Sequence, residues 1–340
     1  MVQEKNIVRL SLTIIMFIAL LGLVSTPALA KGKGRYNKRA CSKTASAAFL
    51  ACQYEVKDDY WIAQGNCYNL DDYGDRSECF PDAKDEYKEA KSECRDQLEA
   101  RKDLCDELGE DPYDPQLDPV DFVTINETNA NPFFPLVDGN QWVYEGETEE
   151  GTETITVTVT GDTKEIEYPA ESGRTFECVV VRDVVELDGD VIEDTFDWYA
   201  QDAEGNVWYF GEISQEFEDG ELVGTEGSWK SGVDGAKPGI IMFADPLPEG
   251  VDVGTVYRQE FALGDAEDWA KLESLDAEAT VSTNGFSCAT GDGCRQTEEG
   301  TPLEPDVIEN KYYKRNIGTV LEENPETGER VELVEFTTTP

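Results

Sequence analysis

The sequence contains no histidine. This absence excludes Ser-His-Asp and Cys-His catalysis, metal and haem sites with histidine ligands, and switching by histidine protonation. Ser228 does not lie in a G-x-S-x-G frame, and the glycine-rich stretch from Gly232 to Gly239 lacks the Lys-Ser/Thr step of a phosphate-binding loop. Carboxylic acids are therefore the main acid–base groups left for any chemistry.

Basic residues are scarce. The chain has 28 Lys and Arg against 73 Asp and Glu, which gives a formal net charge of -45. This balance argues against binding to nucleic acid and to anionic membrane surfaces. It is compatible with divalent cations, with cationic partners, with a salty habitat, or simply with a well-solvated surface.

Long apolar runs are also scarce. The one such run extends from about Leu10 to Val24 and is too short for a transmembrane helix. It is followed by Ala28-Leu29-Ala30, so residues 1–30 have the form of a bacterial secretory signal peptide cleaved after Ala30. No cysteine stands directly after that site, so we expect a secreted or periplasmic protein without a lipid anchor or a transmembrane segment.

Six of the nine cysteines are spaced symmetrically, at steps of 11, 15, 12, 15 and 11 residues. Spacing alone allows fifteen pairings, but pairing from the outside inward gives the constant residue sum expected of two antiparallel elements in register. We therefore predict a disulfide-laced helical hairpin over residues 31–109, with helices at about Ala40–Gln64 and Pro81–Leu108. The predicted disulfides are Cys41–Cys105, Cys52–Cys94 and Cys67–Cys79.

The pattern changes after the hairpin. Residues 110–131 contain several Asp-Pro steps and are predicted to be a linker. Residues 132–340 show alternating apolar positions, as in Thr152–Thr160, with frequent glycine turns. The expected fold class is α+β, with the hairpin followed by a mainly antiparallel β sandwich or open half-barrel. Cys288 and Cys294 are predicted to form a local disulfide, and Cys178 to be a buried free thiol.

Several short motifs of this second region are similar to an uncharacterised secreted bacterial β-domain family. The motifs are DWYAQD at 197–202, GNVWYFGE at 205–212, GSW at 227–229, GVDGA at 232–236 and PGI at 238–240. The resemblance implies a β fold and an envelope or extracellular setting. It implies no activity and no site residues.

Aromatic residues are concentrated in one predicted hairpin. The hairpin contains Trp198, Tyr199, Trp208 and Tyr209, and these four, with Trp229 further along the chain, are the candidate ligand-binding residues. Cross-strand aromatic pairs are more typical of core packing than of a ligand-stacking surface, so both interpretations remain open.

Carboxylic acids accompany these aromatic residues. Paired carboxylates can hydrolyse glycosides, and the candidates here are Asp197, Asp202, Glu212 and Glu260. Asp202, Glu204 and Asn206 loosely resemble alternating calcium ligands, although the glycine is misplaced for an EF-hand loop and a plain turn is the simpler interpretation.

These observations favour a non-enzymatic binding or interaction protein whose partner is a protein or a small ligand. The alternative is a carboxylate-dependent glycan hydrolase. No cofactor is expected, apart from a possible role for calcium.

Overall fold

The computed structural model describes residues 39–148, 150–283 and 285–338. The predicted signal peptide lies outside these ranges. No helix within them is long and apolar enough to cross a membrane.

The chain begins with two packed antiparallel helices, α1 at Ala40–Tyr68 and α2 at Tyr73–Leu108. Three disulfides join the helices in the nested order predicted from the cysteine spacing, with Cα–Cα distances of 5.6, 5.9 and 5.6 Å. Small side chains lie between them, including Ala45, Ala48 and Ala83, which are all buried. These small residues permit the close approach that a disulfide requires.

The second helix begins earlier than we predicted. The sequence places its start at Pro81, but α2 begins at Tyr73 and Pro81 lies inside it. The Asp72 side chain accepts hydrogen bonds from the backbone N–H groups of Gly74 and Asp75 and so caps the helix at this earlier point. Most of the predicted connecting loop is therefore helical.

The rest of the chain contains a short 3-10 helix at Pro119–Asp121 and seventeen strands among the described residues. The strands are β1 Phe122–Val123, β2 Gln141–Glu147, β3 Thr152–Glu167, β4 Thr175–Leu187, β5 Asp190–Asp202, β6 Val207–Ile213, β7 Glu216–Glu218, β8 Glu221–Gly224, β9 Trp229–Lys230, β10 Lys237–Met242, β11 Val256–Arg258, β12 Glu260–Phe261, β13 Trp269–Ser274, β14 Arg295–Thr301, β15 Glu304–Lys314, β16 Gly318–Glu323 and β17 Arg330–Thr337.

The strands form one antiparallel sheet that curves until it nearly closes on itself. Each strand from β2 to β6 pairs with the next strand in the chain, and β6 pairs with β10. Strand β10 pairs with β12, and β11 pairs with β13. The strands from β13 to β17 again pair in chain order. Strand β17 pairs again with β2. The predicted α+β class is confirmed. Of the two β arrangements left open by the sequence, the structure has a nearly barrel-shaped sheet and not a sandwich.

The segment predicted as a linker packs on the outside of this sheet. Strand β1 pairs with β5, and the rings of Phe122 and Phe176 lie 4.9 Å apart. Leu117 and Phe122 help to cover a second apolar cluster that contains Phe176, Cys178 and Trp198. Cys178 is a buried free thiol, and burial raises its pKa. The fourth disulfide joins Cys288 and Cys294, as predicted.

One buried ion pair attaches the hairpin to the sheet. The Arg101 guanidinium donates from Nε to both carboxylate oxygens of Glu267 at 3.0 Å, and from Nη2 to Oε1 at 2.7 Å. The two side chains are only 5% and 2% exposed. Such a pair is costly to break from one side, because the remaining charge stays buried without its partner.

We expect Arg101→Gln to lower the free energy of unfolding by about 3 kcal/mol. The measurement is urea denaturation, and Arg101→Met/Glu267→Leu should recover part of the loss because both charges are removed. Lys88→Gln, which breaks the exposed Lys88–Asp85 pair on the same helix, is the control and should leave the midpoint unchanged. An unchanged midpoint in Arg101→Gln would show that the ion pair does not hold the hairpin in place.

Candidate functional site

A cavity of about 250 Å³ lies inside the barrel-shaped sheet. Much of its wall is aromatic and aliphatic. The wall residues of this kind include Trp142 and Tyr144 of β2, Ile155 and Val157 of β3, Tyr199 of β5 and Tyr313 of β15. We call this space the inner cavity.

The strand register explains why these side chains meet. In β2 and β3, Trp142 lies opposite Val157 and Tyr144 lies opposite Ile155. Residues two apart on a strand point to the same face, so each pair of positions faces the inside together. The segment Phe134–Leu136 and Gly318 line the same cavity next to Trp142, whose indole N–H donates to the Ile317 carbonyl.

Five ionisable side chains also line the inner cavity. They are the carboxyl groups of Asp183, Asp197, Glu299 and Glu322 and the ammonium group of Lys311. Lys311 Nζ lies 3.5 Å from Glu322 and 3.8 Å from Glu299. Burial opposes its charged form, but the carboxylates of Glu322, Glu299 and Glu309 outweigh this and raise the pKa of Lys311 well above its usual value. Lys311 is therefore charged at neutral pH.

A hydroxyl group bridges two carboxyl groups on one side of the cavity. The Tyr209 hydroxyl lies 2.6 Å from Asp197 Oδ1 and 2.8 Å from Glu212 Oε2. A phenol has a single proton to donate, so both short contacts are hydrogen bonds only when one carboxyl group is protonated. Burial raises the pKa of both acids, that of Glu212 to about 7. The pair is therefore built to hold a proton near neutral pH.

Asp183 differs from the other carboxyl groups of the cavity. Its Oδ1 is buried and has no hydrogen-bond partner. Burial, followed by the charges of Asp197, Glu193 and Glu322, raises its pKa well above the usual value. Glu299, by contrast, accepts hydrogen bonds from the hydroxyl groups of Thr297 and Tyr313. Asp183 is thus a buried polar group with unused hydrogen-bonding capacity.

The aromatic candidates from the sequence divide between the two faces of the sheet. Tyr199 and Tyr209 stack inside, with centroids 4.6 Å apart, and Trp229 meets the edge of Tyr209 at 5.3 Å. Trp198 belongs to the outer cluster. Trp208 packs against that cluster and donates its indole N–H to Asp202. The structure therefore brings only Tyr199 to the cavity wall, with Tyr209 and Trp229 behind it.

Asp202 serves a turn. Its Oδ1 accepts hydrogen bonds from the backbone N–H groups of Gly205 and Asn206, and its Oδ2 accepts from the side chains of Asn206 and Trp208. The Asn206 side-chain oxygen accepts from the Ala244 N–H group, and Glu204 is exposed. N–H donors therefore occupy the side-chain oxygens of Asp202 and Asn206, two of the three suggested calcium ligands, within a turn. Across the described ranges, no group of three or more cysteine or carboxylate side chains could hold a metal ion.

The remaining acid candidates do not converge on the cavity either. Of Asp197, Asp202, Glu212 and Glu260, Asp197 alone contributes to the wall. Glu260 is buried near Glu212, and burial and the charges of Asp268 and Glu212 raise its pKa.

Among the acidic and basic residues of the cavity, sequence reasoning missed four, namely Asp183, Glu299, Lys311 and Glu322. A signal was present for Asp183, which interrupts a run of valines (Val179, Val180, Val181, Val184 and Val185). The structure shows that this position shares the phase of Val181, which is buried. A charged residue in the buried phase of a strand indicates an interior polar site.

The raised pKa of Glu212 makes stability depend on pH. The folded protein retains a proton that the unfolded chain releases above its lower, unperturbed pKa. This stabilisation is complete below that lower pKa and is lost as the pH rises through about 7. We expect the free energy of unfolding to fall by about 2 kcal/mol from this group between about pH 5 and about pH 8.

Glu212→Gln should flatten this pH dependence, and urea denaturation at several pH values is the measurement. Glu204→Gln, an exposed turn residue, should keep the parent profile. Equal slopes for Glu212→Gln and the parent protein would contradict the proton-holding pair.

No protein-family model matches the chain, and no curated protein or solved structure matches it at a significant level.

Proposed function

We propose that this protein binds a small molecule in the inner cavity and that it acts as a carrier or receptor without catalysing a reaction. The observation that carries the proposal is the cavity of about 250 Å³ inside the sheet, with aromatic walls and a few polar groups pointing into it. Small-molecule sites typically combine these two features.

The charges of the cavity support a site over a purely structural core. Burying ionisable groups costs free energy that an apolar core does not incur. Here four carboxyl groups and Lys311 surround open space, and Asp183 Oδ1 has no partner within the described chain. A ligand that supplies the missing contacts would recover part of that cost.

The setting follows from the disulfides. Four disulfides among the described residues fit an oxidising compartment. Together with the predicted signal peptide, they support a secreted or periplasmic location in a bacterium. In that location a soluble ligand reaches the protein directly.

Glycan hydrolysis is the second candidate. It is favoured by one observation: Asp197 and Glu212 contact the same hydroxyl group, and their pKa values are raised. A general acid and a second carboxylate are the groups that such a reaction needs. Against it, Asp197 is the one member of the pair that lines the cavity. Glycan turnover by the purified protein that Asp197→Asn abolishes would favour hydrolysis over binding.

A cavity-filling variant tests the binding proposal. Val157→Phe places a larger side chain in the inner cavity, whereas Val307→Phe makes the same change at an exposed position of β15. We expect native mass spectrometry of the secreted protein to show co-purifying mass that denaturation releases, which Val157→Phe loses and Val307→Phe retains.

A thermal-shift screen of small metabolites on the same proteins gives a second readout. Any compound that stabilises the parent protein should have at least about tenfold lower affinity for Val157→Phe, because the filled cavity removes its contacts. Compounds that stabilise both variants equally, or an absence of any co-purified or stabilising compound, would contradict binding in the cavity.

A further inference from the structure

The inner cavity is strongly acidic. Asp183, Asp197, Glu299 and Glu322 face one cation, Lys311. Lys311 is already engaged, since it lies within 4 Å of Glu299, Glu309 and Glu322. The one positive charge in the cavity is therefore paired with carboxylates of β14, β15 and β16. The wall formed by β4 and β5 contributes no cation to the cavity.

Three further glutamates continue this acidic surface beyond the cavity. Glu153 shares the strand phase of Ile155, Glu193 that of Asp197, and Glu309 that of Lys311, so all three point inward. Burial and then the charges of Glu193 and Glu309 raise the pKa of Glu153. We call Glu153, Glu193 and Glu309 the outer carboxylates. They lie toward the β2–β3 turn, at the opposite end from Phe134–Leu136.

The carboxyl groups of this surface that are ionised create a negative potential inside low-dielectric walls. Such a potential attracts cations and repels anions, and it is stronger than the same charges would produce in water. A ligand that occupies the cavity is therefore selected for positive charge.

The unpartnered oxygen of Asp183 indicates which kind of cationic group the cavity would bind. A buried carboxylate oxygen without a partner is satisfied by an N–H donor, and a charged donor forms the stronger hydrogen bond. Aromatic rings complete the wall, with Tyr144, Tyr199 and Trp142 facing the same space. Electron-rich ring faces also favour cations.

We propose that the inner cavity binds a small organic ammonium ion, whose nitrogen interacts with Asp183 while its carbon skeleton packs against the aromatic wall. This inference rests on the proposed function and adds the chemical class of the ligand. The cavity volume of about 250 Å³ equals the liquid volume of about eight water molecules, which suits a compact amine such as tyramine or choline.

The test is isothermal titration calorimetry of the secreted protein with matched probes. Tyramine and choline carry the ammonium group. Tyrosol and 3,3-dimethylbutanol are their neutral counterparts, and 4-hydroxyphenylacetate carries the opposite charge. We expect at least one amine to bind at least about tenfold more tightly than its neutral counterpart, and the anion not to bind.

Asp183→Asn should weaken binding of that amine at least about tenfold and leave affinity for the neutral counterpart unchanged. Asp71→Asn, an equal change at an exposed residue between the two helices, is the control and should bind like the parent protein.

Proton release is a readout that a purely structural role for Asp183 would not affect. Asp183 faces Asp197, Glu193, Glu322 and Lys311, and its pKa is raised in the empty protein. Because an ammonium ion favours the ionised carboxylate, binding should release protons from Asp183. Titrations in buffers of different ionisation enthalpy should detect this release in the parent protein and not in Asp183→Asn.

The outcomes separate the two proposals. If the neutral or anionic probes bind as tightly as the amines, or if Asp183→Asn leaves amine affinity unchanged, the ammonium inference is wrong and the binding function stands. If no probe binds, the ammonium inference is also overturned, and the co-purification and screening results for Val157→Phe then decide the binding function independently.

Discussion

The antiparallel pairing that runs around the sheet and returns to β2 is the constraint on which the rest of the structure depends. Once the sheet nearly closes, every second residue of each strand must share one interior. Large side chains such as Trp142 and Phe133 fill one end of this interior, and a cavity remains beside them. The cavity is thus a consequence of closure, and its chemistry depends on which residues occupy the inward phase.

Closure of the sheet also changes the pKa of acidic residues that face its interior. On an open surface, carboxylates are solvated and independent. Inside the sheet, burial raises the pKa of Asp183, Asp197 and Glu212, and neighbouring carboxylates raise the pKa of Asp183 further. Protons and Lys311 offset part of the repulsion. The acidity of the chain is therefore not only a surface property, because carboxyl groups also line its interior.

The hairpin and the segment after it support this sheet from outside. The hairpin is held together by its own disulfides and is joined to the sheet by the Arg101–Glu267 pair. The segment that carries Leu117 and Phe122 covers the outer face of β4, β5 and β6 and buries Cys178. Both faces of β5 are buried from Asp197 to Asp202, which explains why Trp198 and Tyr199, though adjacent in sequence, belong to separate clusters.

The sequence alone determined the features that depend on spacing along the chain. The cysteine pairing followed from the equal residue sums, because two helices in register place such positions together, and the strand Thr152–Thr160 followed from its alternation. The turn at Asp202 was the simpler interpretation of its sequence, whereas the early start of α2 after Asp72 was missed, because it depends on hydrogen bonds from particular backbone N–H groups to the Asp72 side chain.

Only the tertiary structure decided the site. Alternation shows that Asp183 and Lys311 each lie on one face of a strand, but it does not show which face is the inside. It also does not show which strands lie across the cavity from each other. Those facts depend on the curvature and closure of the whole sheet, a property of long-range pairing that no local segment of the sequence contains.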